Sequence, residues 1–155
     1  MKRAALFTAL VLFLLAAVPS ALALRASCPA GGFSLSLPDS FSEQSFSASD
    51  DPDLCFFWQG GGIVIQGYAS YLGEVAPSSL FQVLTGNETD SGSCTVNGMQ
   101  MVWGASEEAS VACLMYSWMD RGNNVTLYFS YTPGDASAPA VIDRIIHSIA
   151  FDAGH

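Results

Sequence analysis

Alternating apolar and polar positions predict strands along much of the chain. Phe33, Leu35 and Leu37 alternate with serines, a pattern typical of a half-buried strand. Residues 111–119 are apolar on both alternating sets, which predicts a central strand that is covered on both faces. Residues 125–131 return after a polar turn. The chain therefore favours an antiparallel sheet.

Two glycine-containing turns predict hairpins within this sheet. The apolar runs 54–58 and 63–71 lie on either side of a triple glycine, which breaks the strand pattern between them. An Asn-Gly pair separates residues 94–96 from residues 99–103. Asn-Gly favours a two-residue hairpin turn because both turn positions require positive φ.

Two segments have helical rather than strand periodicity. Residues 74–84 contain an early proline and apolar residues at helical spacing, and predict one short helix. Residues 137–148 predict a second, amphipathic helix, whose apolar stripe consists of Val141, Ile142, Ile145, Ile146 and Ile149. The sequence thus predicts an α+β fold, an antiparallel meander with two amphipathic helices packed on it, and allows an α/β/α sandwich. With no internal repeat or linker, residues 24–155 are expected to form a single domain.

The order of these elements resembles the PsbP-like superfamily, which includes the extrinsic oxygen-evolving subunit of photosystem II and many secreted bacterial proteins. The matching pieces are the opening strand that ends in Leu37-Pro38-Asp39-Ser40-Phe41, the middle helix, the hairpin at Val96-Asn97-Gly98 and a closing helix that runs into residues 148–151. The resemblance implies an α/β/α sandwich with a binding or accessory role, commonly without catalysis. The four cysteines and the scarcity of basic residues depart from the best-known members, so no functional residue is carried over.

Residues 1–23 have the three parts of a secretory signal peptide. Basic residues precede an aliphatic run over 4–18, and small residues follow at the A-x-A spacing that ends in Ala23. The aliphatic run is shorter than the roughly 18–20 residues that a membrane span needs. We therefore expect cleavage after Ala23, a secreted or otherwise extracytoplasmic product, and no membrane insertion after cleavage.

The charge balance excludes some classes of partner. The chain has 14 acidic residues against five basic ones and a net charge of −9. Binding to nucleic acid requires clustered lysine and arginine, so nucleic acid is excluded as a partner. The expected partner is an unknown protein, peptide or glycan, and the expected state is a monomer.

The cysteines predict disulfides. Cys28, Cys55, Cys94 and Cys113 lie far apart, without metal-site or C-x-x-C spacing, in a chain expected to enter an oxidising compartment. Closeness along the chain suggests the pairs Cys28–Cys55 and Cys94–Cys113. However, the predicted meander separates the last two cysteines by two strand spacings, about 9–10 Å, which is too far for a bridge. The connectivity stays open.

Candidate catalytic and metal sites are sparse. Asp143 and His147 share a helix face and are interpreted as a solvent-facing i,i+4 pair. The run 50–53 contains three aspartates but lacks the rhythm of a calcium loop, so it is interpreted as a solvated loop. No catalytic residue, metal ligand or cofactor is predicted. Asn87 and Asn124 begin glycosylation sequons, which have meaning only in a eukaryotic host.

Aromatic residues supply the only candidate ligand surface. Trp58, Tyr68 and Tyr71 are hypothesised to form a platform that stacks sugars or grips a peptide. The sequence therefore predicts a secreted, non-catalytic binding or accessory module of unknown ligand. The alternatives are a small secreted hydrolase that uses carboxylates alone and a structural envelope protein.

Overall fold

A computed structural model describes residues 21–47, 49, 51–73 and 90–153. Its strands are β1 Leu22–Cys28, β2 Phe33–Pro38, β3 Ser42–Glu43, β4 Leu54–Gly60, β5 Ile63–Tyr71, β6 Asp90–Val96, β7 Met99–Glu107, β8 Ala112–Asp120, β9 Asn123–Tyr131 and β10 Ala150–Phe151. Helix α1 spans Ala138–His147, and Pro29–Gly31 form a single 3-10 turn. The predicted helix 74–84, the Asn87 sequon, Asp50 and residues 1–20 of the predicted signal peptide lie outside the described residues.

Most of the strands form a seven-stranded antiparallel sheet in the order β3-β4-β5-β9-β8-β7-β6. Both predicted hairpins are present in it, as β4–β5 and β6–β7. At the second hairpin Asn97 and Gly98 have φ values of 49° and 87°, the left-handed conformations that the Asn-Gly pair predicts. Strand β8 lies between two neighbours, as expected of a strand that is apolar on both faces.

A second, three-stranded sheet has the order β1-β2-β10. It packs on the large sheet through aromatic rings. Phe33 of β2 lies with its ring centroid 5.6 Å from that of Phe56 and 5.4 Å from that of Trp118, and Phe151 of β10 lies 5.8 Å from Trp118. We call the face of the large sheet that carries Trp118 the inner face, and the opposite face the outer face.

Helix α1 packs into the same core as the small sheet. Ile142, Ile145 and Ile146 are almost completely buried with the inner-face residues. At the end of the helix, the Ser148 hydroxyl donates to the Ile145 carbonyl at 2.6 Å and accepts from the Ser36 N–H at 2.9 Å, which joins the helix to β2. In the described part of the chain, α1 and the small sheet therefore cover the inner face.

The predicted fold class is wrong. The described part of the chain is mainly β, with two antiparallel sheets and one α-helix, and is not a two-helix α/β/α sandwich. The physical reason lies in residues 22–28, of which the first two were assigned to the signal peptide and the other five to no element. They pair with β2 over almost their whole length, and the resulting small sheet buries Ala26 and Cys28 against the large sheet. A small sheet thus shares the inner-face core with α1.

Candidate functional site

The outer face of the large sheet carries an open polar basin at its centre. Strands β5 and β9 pair side by side, with Gln66 opposite Tyr128 and Tyr68 opposite Thr126. Because side chains alternate along a strand, this register turns the polar members of both strands to one face. The basin has a volume of about 520 Å³ and is lined by Asp51, Asp53, Gln66, Tyr68, Ser70, Asn124, Thr126, Tyr128 and Ser130.

Two tyrosines form the aromatic part of the basin. The ring centroids of Tyr68 and Tyr128 lie 5.7 Å apart with an interplanar angle of 85°, an edge-to-face pair. Tyr128 remains 37% exposed. Burial, followed by the charge of Asp51, raises the pKa of the Tyr68 phenol, so this hydroxyl stays protonated at neutral pH. The pair offers an aromatic surface together with hydroxyl groups that can donate and accept.

A hydrogen-bond network fixes the polar side chains around the tyrosines. The buried Ser117 hydroxyl donates to Asn124 Oδ1 at 2.7 Å and lies 2.8 Å from the Thr126 hydroxyl. On the neighbouring strand β5, the Ser70 hydroxyl donates to Asp53 Oδ2 at 2.7 Å, which ties the loop before β4 to β5. These contacts restrain the lining before any ligand arrives. They also place the Asn124 sequon in the wall of the basin.

The composition of the basin decides what it can bind. Among the described residues, its lining supplies amides, hydroxyls and two rim carboxylates, and includes no lysine or arginine. An anionic ligand would meet the negative formal charge of Asp51 and Asp53 in this part of the lining. Within the described ranges there is no group of three or more His, Cys, Asp or Glu side chains that could hold a metal ion. The arrangement suits a neutral ligand with many hydroxyl groups.

A smaller cavity of about 280 Å³ lies between α1 and strands β6 to β8. Its lining consists of Cys94, Val96, Trp103, Leu114, Tyr116, Asp143, Ile146 and His147. Burial raises the pKa of the Cys94 thiol and raises that of Tyr116 to about 12, so both groups are protonated at neutral pH and neither is a ready nucleophile.

Asp143 and His147 stand at the rim of this cavity as an exposed pair. His147 Nδ1 lies 3.3 Å from Asp143 Oδ1, and the two side chains are 63% and 67% exposed. The same nitrogen lies 2.8 Å from the Asp143 carbonyl oxygen. This geometry is the solvent-facing i,i+4 pair that the sequence indicated, and it holds the imidazole against its own helix.

The three aromatic residues of the hypothesised platform do not share a surface. Trp58 is half-buried and packs against Phe56 in the core, with ring centroids 6.0 Å apart. Tyr71 is 78% exposed at the end of β5, where its ring faces the turn at Gly122. Of the three, Tyr68 alone lines the basin. The reason is that residues 58 and 68 lie on opposite faces of the sheet in the observed register.

The sequence did not single out most of the basin residues. Tyr128, Gln66 and Thr126 reach the basin because β5 pairs with β9, a strand about sixty residues further along the chain. Alternation within each strand could group Gln66, Tyr68 and Ser70 on one face. It gives no sign of the partner strand, and that partner supplies the other half of the site.

The comparisons with known proteins concern the fold. The chain is similar to the cyanobacterial PsbP (CyanoP) of Synechocystis, with a TM-score of 0.63 and 10% identity over 87% of this chain and 96% of that one. It is similar to a protein of Bacteroides thetaiotaomicron, with a TM-score of 0.64 and 10% identity over 86% of this chain. The chain spans 50% of the length of that second protein. No family model matches the sequence, and no curated protein matches it.

These likenesses define the class of fold. The PsbP-like fold implied by the sequence resemblance is confirmed, although the two-helix sandwich is not. At 10% identity the similarity carries no residue roles. Within the described ranges, no helix is both long and apolar enough to cross a membrane.

Proposed function

We propose that this protein is an exported, non-catalytic binding or accessory module, and that its outer-face basin binds a neutral glycan. The observation that carries the proposal is the Tyr68–Tyr128 pair within a ring of amide and hydroxyl groups. Sugar rings present apolar C–H faces that stack on aromatic rings and hydroxyl groups that bond to amides. Protein and peptide partners remain alternatives, because an exposed polar surface can also serve them.

Export is proposed on the basis of the signal-like residues 1–23 and the register of β1. Pairing between β1 and β2 is shifted between Leu22 and Leu24, and it runs without interruption from Leu24 to Cys28. Cleavage after Ala23 would therefore leave the regular part of the strand intact. N-terminal sequencing of the chain recovered from its host's extracytoplasmic fraction should begin at Leu24. Recovery of the uncleaved chain in the cytoplasm would contradict export.

Binding is tested by calorimetric titration of the mature chain with neutral oligosaccharides from plant, fungal and bacterial cell walls. We expect one glycan class to bind, and Tyr128→Ala to weaken it about ten-fold, equivalent to about 1.4 kcal/mol. Tyr71→Ala is the matched control, since Tyr71 is a more exposed tyrosine that does not line the basin. An equal loss in both variants, or no binding to any glycan, would contradict the glycan proposal.

Carboxylate-based hydrolysis is the second candidate, because Asp51 and Asp53 line the same basin. A general acid of this kind needs surroundings that favour its protonated form. Here Asp53 is exposed to solvent and accepts a hydrogen bond from the Ser70 hydroxyl, so it lacks the apolar enclosure of such a general acid. We therefore expect binding without the release of new reducing ends. Turnover that Asp51→Asn or Asp53→Asn abolishes would replace the binding module with a hydrolase.

The structural envelope role and the monomeric state are both tested by sedimentation of the purified mature chain. We propose a soluble monomer after cleavage. Sedimentation of the mature chain should give a species of one chain at all accessible concentrations. Stable association into larger assemblies would favour the structural alternative.

A further inference from the structure

Two of the four cysteines meet where the two sheets pack together. Cys28 ends β1 and is fully buried, and its sulfur lies 2.8 Å from the sulfur of Cys55 in β4. The length of a disulfide bond is about 2.05 Å. A shift of less than about 1 Å would therefore bring the two sulfurs to bonding distance.

An irregularity in β4 accounts for this approach. Leu54 pairs with Tyr68 while Phe56 pairs with Gly67, so Cys55 is an extra residue in the strand. Such a bulge redirects a side chain that strict alternation would send to the other face. Cys55 accordingly packs against the same core as Phe56. The bulge thus turns the thiol towards Cys28.

The other two cysteines are placed differently. Cys94 pairs with Met101 on the inner face, whereas Cys113 pairs with Ser106 and lies beside the Ser130 hydroxyl on the outer face. The sheet itself separates the two thiols, and their partners on β7, Met101 and Ser106, are five residues apart. The local pair 94–113 is therefore incompatible with the observed register.

We propose that Cys28 and Cys55 form a disulfide that joins the small sheet to the large sheet, and that Cys94 and Cys113 remain thiols. The four cysteines are unbridged in the structure. The bridge would connect β1 to β4 across a loop whose ends lie 27 positions apart. This proposal does not depend on the glycan proposal.

The oxidant is a disulfide, either a small molecule such as glutathione disulfide or an oxidised dithiol protein. Cys55 reacts first because it is the partly exposed member of the pair, and its attack gives a mixed disulfide and releases one thiol of the oxidant. The hydrogen bond with Cys28, followed by burial, raises the pKa of Cys55 and so lowers the fraction of thiolate available for this step. The Cys28 thiolate then attacks the Cys55 sulfur, and the second thiol of the oxidant leaves. Two protein thiols and one oxidant disulfide become one protein disulfide and two oxidant thiols.

The surroundings of Cys28 suit it to the second step. The hydrogen bond with the Cys55 side chain is the largest cause of the lowered pKa of Cys28, and it ends when Cys55 enters the mixed disulfide. The backbone N–H groups of Gly31 and Ala30 also lower this pKa, and they remain in the second step. A lower pKa increases the fraction of thiolate, which is the attacking form.

Thiol counting tests the proposal on the mature chain, residues 24–155. After equilibration in a glutathione redox buffer, labelling with a maleimide in denaturant should find two thiols per chain, and four after full reduction. The double variant Cys94→Ser/Cys113→Ser should then show no reactive thiol, whereas Cys28→Ser should show three. Four thiols in the oxidised wild-type chain would overturn the proposal.

Peptide mapping identifies the pair. Trypsin cleaves the mature chain only after Arg25, Arg121 and Arg144 and would leave all four cysteines in one peptide, so chymotrypsin is required. The non-reduced digest should contain a linked pair of peptides with Cys28 and Cys55. A linked pair that contains Cys94 or Cys113 would overturn the assignment.

Thermal unfolding gives a second measurement. Closing a loop of this size stabilises a chain by restricting its unfolded state, and in a domain of this length we expect the oxidised form to melt roughly 10 °C above the reduced form. Cys94→Ser/Cys113→Ser should keep that difference, and Cys28→Ser/Cys55→Ser should lose it. A difference that survives in the second variant would contradict the proposed bridge.

Discussion

At the scale of single residues, the alternation of side chains along each strand decides which of them reach the basin and which reach the core. Trp58 and Tyr68 both looked available in the sequence, yet Trp58 pairs with Ile65 and faces the core, while Tyr68 faces the basin. Ser117, which has no obvious role in the sequence, is fully buried and contacts both Asn124 and Thr126. It is therefore a positioning residue for the wall of the basin.

Replacement of Ser117 by alanine tests this role. Ser117→Ala leaves the hydrogen-bonding groups of Asn124 and Thr126 with fewer partners in a buried place, and should destabilise the fold by about 1–2 kcal/mol in urea unfolding. Ser93→Ala, an exposed serine on β6, is the control and should change stability by less than about 0.5 kcal/mol. Equal effects in the two variants would contradict the network.

At the scale of elements, α1 is held at both ends by short side chains. Before the helix, Asp135 Oδ1 accepts from the Ser137 hydroxyl at 2.6 Å and from the Ser137 N–H at 2.9 Å. After it, the Asn97 amide in the β6–β7 turn donates to the Ile149 carbonyl at 2.5 Å. The helix is thus fixed to the hairpin by the residues that also make the turn.

The Asp135 contacts predict a pH dependence for the start of the helix. The bonds from Ser137 lower the pKa of Asp135 below its ordinary value of 3.8. A depressed carboxyl pKa means that the stabilisation is complete above pH 3.8 and is lost as the pH falls through the lower, folded-state value.

NMR titration of the Asp135 carboxyl carbon should therefore give a midpoint below 3.8. Ser137→Ala removes the hydroxyl donor and keeps the backbone donor, so it should move the midpoint part of the way back. A wild-type midpoint at or above 3.8 would show that these bonds do not form in solution.

The sequence predicted local elements better than their arrangement. The alternation of apolar and polar residues predicted β2, and the glycine-containing turns predicted both hairpins. Both signals are local, because the period of a strand and the left-handed conformation of a turn depend on a few adjacent residues. The pairing of β5 with β9 and of β1 with β2 depends on contacts that no local pattern encodes. That is why half of the basin and the pairing that builds the small sheet around β2 were missed, although short motifs pointed to a PsbP-like fold.

At the scale of the whole molecule, the net charge and the position of the basin bear on the proposed class of ligand. The chain carries a net charge of −9, and the basin lies at the centre of the large sheet, away from the small sheet and α1. A negatively charged protein repels anionic ligands over distances of about a Debye length, roughly 10 Å at 0.1 M salt. The approach and binding of a neutral ligand do not depend on this electrostatic field.

This argument predicts that the affinity for the glycan is insensitive to salt. The dissociation constant should change less than about two-fold between about 0.05 and 0.5 M sodium chloride, because no ion pair forms on binding. A cationic peptide bound at the rim carboxylates would instead weaken markedly as salt rises. A marked loss of affinity in calorimetry at high salt would therefore favour the peptide alternative.

The measurement that tests the central claim most directly is an amide NMR titration of the isotope-labelled mature chain with the glycan class selected by calorimetry. The basin account predicts that the largest shift changes fall on residues 66–70 and 124–130, the paired segments of β5 and β9 that line the basin. Changes centred instead on α1 and β6, around the cavity lined by Cys94 and Tyr116, would contradict it.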